Sequence, residues 1–142
     1  MKATDRDALR RTRAQALLVK QLRERIGGES RCGLRAIRMD GMPGGSRSTA
    51  GLDARMIRLE EMTRVLRREE ARLRRLEKAA REAILNLRPE LYAFCTLYYI
   101  AGMSVDSVSE AIDRSERQCL RYKREIEAEE AGAEPGSGDG GR

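Results

Sequence analysis

The sequence predicts an all-α protein: an N-terminal helix and a long coiled-coil-like helix, followed by a C-terminal three-helix helix-turn-helix module. Three observations carry that expectation. Leu52, Leu59, Leu66, Leu73, Ala80 and Leu87 recur every seven residues. Every aromatic residue (Tyr92, Phe94, Tyr98, Tyr99 and Tyr122) falls inside one short stretch, which is where a compact core is expected. Charged residues make up 37% of the chain against 4% aromatic, so the remainder is expected to be extended helix.

Taken in order, Thr4 or Asp5 can cap a first helix over residues 1–26, with Leu9, Leu18, Leu22 and Ile26 as its apolar seam and Gly27-Gly28 as its stop. Residues 27–51 read as a flexible Gly/Ser/Pro-containing linker. Within it, Leu34, Ile37 and Met39 can form a short dockable turn. A plain linker is the reading preferred, with a nucleic-acid-binding arm through Arg31, Arg35, Arg38 and Arg47 as the alternative. Residues 52–87 form the long amphipathic helix, with Met62, Leu76 and Ala83 at the intermediate seam positions and Arg55 and Glu69 interrupting them. Its seam can be covered by the first helix folding back antiparallel, or by a second subunit in a homodimer. Its many arginines suit either i, i+4 ion pairs or a second phosphate-contacting surface.

The module is expected over residues 88–130. Pro89 suits the first turn of a helix, and the run that follows is apolar nearly all round, with Leu91, Phe94, Cys95, Leu97, Tyr98 and Ile100. Gly102 supplies a left-handed stop. Ser104 can cap a second helix that carries Val105, Val108 and Ile112 inward and Asp106, Glu110 and Asp113 outward. Asp113-Arg114 makes a turn, and Ser115 with Gln118 has capping-box spacing at the start of a third helix, whose inward stripe is Cys119, Tyr122 and Ile126. At about 100° per residue, Arg117, Arg121 and Arg124 project opposite that stripe, with Gln118 and Leu120 on its flanks. Arginine can bond bidentately to guanine and glutamine to adenine, and a capped helix N-terminus can hold a phosphate. Arg114, Ser115, Arg117, Gln118, Arg121 and Arg124 are therefore the candidate DNA-binding residues. The alternative is a solvated basic face.

Tyr98-Tyr99-Ile100-Ala101-Gly102-Met103-Ser104 and Ser115-Glu116-Arg117-Gln118-Cys119-Leu120-Arg121 resemble the sigma-70 region 4-like helix-turn-helix of small phage and prophage regulators, the ArpU- or RinA-type late transcriptional regulators. Asp113, at a turn where glycine is common, departs from that pattern. The resemblance implies sequence-specific binding of double-stranded DNA in transcription control, in the cytoplasm of a bacterial host. The acidic second helix is the candidate surface for host RNA polymerase. Two rivals stay open: a small terminase-like subunit for recognition of phage DNA in packaging, and a coiled-coil interaction protein that does not bind DNA.

Formal net charge is +6, which suits a polyanionic partner. There is no histidine, no phosphate-binding glycine motif and no span apolar enough for a membrane, so no enzymatic activity, cofactor, metal or membrane partner is expected. Cys32, Cys95 and Cys119 are an odd number without Cys-x-x-Cys spacing; Cys95 and Cys119 lie on apolar faces, while Cys32 is expected in an accessible loop. Glu127-Ala128-Glu129-Glu130 can extend the last helix, and residues 131–142 are expected to be disordered.

Overall fold

The computed structural model describes the backbone of residues 1–39 and 46–128 and the side chains of residues 1–30 and 51–128. Most of the described residues are helical, with no strand among them. The helices are α1 (Ala3–Met39), α2 (Ser46–Ile84), α3 (Pro89–Cys95, prolonged by a π-helical turn over Thr96–Ile100), α4 (Val105–Ile112) and α5 (Glu116–Glu127). None of the helices is long and apolar enough to cross a membrane. The chain forms two compact units, one of Met1–Leu17 with Leu73–Arg142 and one of Leu18–Arg72, so that both long helices supply residues to each.

Boundaries in the N-terminal half depart from expectation. Thr4 and Asp5 lie inside α1 rather than capping it, since the Arg6 amide already bonds the Lys2 carbonyl at 3.0 Å. Gly27-Gly28 does not stop α1, which continues to Met39. A helix-interior glycine costs about 1 kcal/mol relative to alanine but can still adopt right-handed φ and ψ, so it weakens a helix without having to end it. The expected linker is accordingly helical over residues 27–39 and 46–51, while residues 40–45 lie outside those described. Cys32 thus sits in a helix rather than a loop. The side chains of Cys32, Leu34, Ile37, Met39, Arg31, Arg35, Arg38 and Arg47 lie outside those described, as does the tail from residue 129. α2 ends at Ile84 rather than Leu87. Arg88 is extended at φ −63° and ψ 156°, as a residue before proline must be, and the chain leaves the helix just ahead of it.

The smaller unit, residues 18–72, is an antiparallel pairing of helices within one chain. Arg23 of α1 bonds Glu70 of α2 at 2.7 Å, and Glu29 of α1 meets Arg58 of α2 at 2.9 Å, so positions descend on one helix as they rise on the other. Leu52, Leu59, Met62 and Leu66 are half-buried along the expected seam, and Arg55 and Glu69, which interrupt it, are half-buried with them. Val19 is the residue of this unit that is fully buried among those described.

The larger unit holds an aromatic core. Phe94 stacks on Tyr98 with centroids 5.2 Å apart, and Tyr99 meets Tyr98 edge-on at 4.9 Å. Around them are buried Leu9 of α1, Ala80 and Ile84 of α2, Leu91 and Cys95 of α3, Val108 of α4, and Cys119, Tyr122 and Ile126 of α5. Burial pushes the Cys95 thiol up to about 12, and burial followed by the nearby Glu116 charge raises Cys119, so both behave as small hydrophobes. The stripe of α1 differs from the expected seam: Leu18 is 40% exposed, while Thr12 and Gln15 are buried. Nine residues separate Leu9 from Leu18, about two and a half turns, which places them on opposite faces. The Thr12 hydroxyl takes up the inward position by sharing its proton between the carbonyls of Ala8 at 2.7 Å and Leu76 at 3.1 Å.

Candidate nucleic-acid interface

The second half of the larger unit is set by local signals that behave as read from the sequence. Pro89 occupies the start of α3. The π turn follows, closed by an Ala101 amide to Thr96 carbonyl bond of 2.9 Å, and Tyr98, Tyr99 and Ile100 are all buried along it. Gly102 then turns the chain at φ +74°, a backbone angle that favours glycine, and a Cβ there would lie a tight 3.3 Å from the Ala16 Cβ of α1. Ser104 caps α4 by accepting from the Ser107 amide, and Ser115 caps α5 by accepting from the Gln118 amide at 3.1 Å. Between them Asp113 is left-handed at φ 54° and ψ 52°, a conformation that aspartate adopts more readily than most side chains.

This geometry gives α5 two faces. Cys119, Tyr122 and Ile126 are 0–3% exposed. Arg117, Arg121 and Arg124 are exposed on the opposite side, with no ion-pair partner among the described residues. Ser115 lies exposed at the N-terminus of the same helix. The candidate set divides from here. Gln118 is half-buried and so sits at the edge of the basic face, and one guanidinium nitrogen of exposed Arg114 is 3.2 Å from the Asp113 carbonyl, turned back on the loop. Leu120 stands 44% exposed beside the arginines.

Several contacts that hold this surface were not legible as such in the sequence. Arg13 of α1 donates to the carbonyl oxygens of Tyr98 and, at 2.9 Å, Met103, and its guanidinium lies 3.7 Å from the Tyr98 ring centroid. It therefore fixes both sides of the Gly102 turn. At the other end of α5, Arg88 pairs bidentately with Glu125 at 2.6 and 3.0 Å, Tyr99 donates to Glu127 at 2.6 Å, and Arg6 donates to the Ala128 carbonyl at 3.0 Å. Burial, then the bond to Glu127, raises the Tyr99 hydroxyl well above its usual value, so it stays a donor. Acidic groups lie next to the basic face: a hydrogen bond with Asp106 of α4, and its charge, hold the Glu116 carboxyl above its ordinary value. The spacing Asp106 to Glu116 has no local period that would have disclosed this pair.

Comparison with protein-family models, with curated proteins and with solved structures gives no match for the chain.

Proposed function

We propose that the chain is a sequence-specific, non-catalytic DNA-binding regulator of transcription, in which α4 and α5 act as a helix-turn-helix and α5 enters the major groove. One observation carries this reading: α5 is a doubly constrained helix whose outward face presents Arg117, Arg121 and Arg124 without ion-pair partners among the described residues, next to a capped N-terminus. Arginines without an ion-pair partner among the described residues can meet phosphates and guanine edges, and a helix anchored at both ends can hold them in register. Asp106 and Glu110 on exposed positions of α4 would repel phosphates, so that face is turned from the duplex and is the surface proposed for host RNA polymerase. A phage or prophage role follows from the sequence resemblance.

The test is selection from random duplex DNA at moderate salt, with the full chain and with a variant carrying Arg117→Ala and Arg121→Ala. An enriched motif that the variant loses, with each single substitution weakening specific binding by about 1–3 kcal/mol, is the expected result. Two half-sites in the motif would indicate a dimer. A ring-like oligomer would favour the packaging-subunit reading, and absence of enrichment with either protein would favour a protein partner.

A further inference from the structure

Leu120 is an exposed apolar residue next to the arginines of α5. The other apolar residues of α5, Cys119, Tyr122 and Ile126, are essentially covered, whereas Leu120 is 44% exposed. At about 100° per residue it lies roughly 40° around the helix from Arg124 and roughly 60° from Arg117 on one side, with Glu116 roughly 40° away on the other, so it stands at the flank of the basic face rather than at the edge of the core. An occupant of this surface must satisfy two demands together: negative charge for arginines that have no ion-pair partner among the described residues, and an apolar group for the neighbouring Leu120. Phosphates alone meet the first and leave Leu120 in water. The major groove meets both, since thymine alone presents a methyl group there among the donors and acceptors of the base edges.

Resting on the reading of α5 as the groove-entering helix, we propose that Leu120 is a specificity-determining residue that packs against the 5-methyl group of a thymine, so that the preferred duplex carries a T·A pair beside the positions approached by Arg117 and Arg124. The arginines then supply charge and guanine contacts, and Leu120 discriminates by shape and by exclusion of water from one methyl.

Replacing thymine with deoxyuridine removes that methyl and leaves the pairing and hydrogen-bonding edges in place. The experiment uses the duplex enriched by the full chain, remade with deoxyuridine at each thymine in turn, and measures affinity by fluorescence anisotropy for the parent and for Leu120→Ala. The parent is expected to weaken about fourfold at one or two positions, the worth of one buried methyl-sized group. Leu120→Ala, whose helicity should match the parent because the side chain is outward, is expected to bind the thymine and uracil duplexes within about twofold of each other. A parent indifferent to deoxyuridine at every position, a motif without thymine, or a Leu120→Ala protein as sensitive as the parent would overturn the assignment while leaving DNA recognition intact. No enriched duplex for the parent would remove the DNA reading itself and this assignment with it.

Discussion

The two units of the chain are both helical, yet different forces hold them. In residues 18–72 the described helices meet through half-buried leucines and through exposed ion pairs such as Arg23 with Glu70 and Arg58 with Glu29, and among the described residues burial is complete only at Val19. The larger unit has the aromatic cluster and the rest of the buried apolar residues described. Exposed ion pairs contribute little because water already solvates both partners, whereas removing an aromatic ring from water stabilises by several kcal/mol. Helicity alone therefore says nothing about where a structure is rigid; the proposed interface sits in the unit that has the core.

The largest expected effect breaks that core. Phe94→Ala, at the centre of three ring contacts, should destabilise by about 3–5 kcal/mol in urea unfolding followed by circular dichroism, against roughly 2 kcal/mol for Val19→Ala in the other unit. Equal losses at the two sites would remove the contrast. Next in size is Arg13→Ala, which takes a donor from two carbonyls and a cation from the Tyr98 ring. A cost of about 1–3 kcal/mol is expected, with Arg13→Lys recovering only part because an ammonium cannot reproduce the planar fork. Arg23→Ala should cost no more than about 1 kcal/mol, and the difference from the parent should vanish in 1 M salt. A larger loss that survives salt would mean the smaller unit relies on that pair.

The smallest effect concerns pH. The Glu116 carboxyl is raised from its ordinary value of 4.5 by Asp106, so the folded chain holds a proton more tightly there than the unfolded chain does. Its contribution to stability is complete below 4.5 and is lost as pH rises through the folded value. The midpoint of thermal unfolding should therefore fall more steeply across that interval for the parent than for Glu116→Gln, which has nothing to titrate at that position. Parallel pH profiles would show that the two carboxyls do not interact.

Much of the larger unit is legible in the sequence, and for a definite reason. Pro89, Ser104, Ser115, Gly102 and Asp113 act on backbone groups a few residues away, so their consequences follow from neighbours in the chain. The stripe Cys119, Tyr122, Ile126 and the opposing arginines follow from the period of one helix. The heptad of α2 is legible in the same way and corresponds to its less exposed side from Leu52 to Ala80. The first helix departs from this reading because its apolar residues are few and spread over both sides, and hydrophobicity alone favours Leu18 over the polar Thr12 and Gln15 that take the inward positions.

By itself, then, the sequence determined the helical class, the caps and turns of the last three helices, and the division of α5 into an inward and a basic face, because each depends on interactions spanning one or two helical turns. Only the tertiary structure decided that α1 turns Thr12 rather than Leu18 to the interior, that Arg13 reaches the Tyr98 carbonyl 85 residues away, and that Arg88 and Arg6 hold the end of α5. Those choices depend on which of many surface arginines finds an acceptor at bonding distance, and that is set by the packed positions of whole helices rather than by any period along the chain.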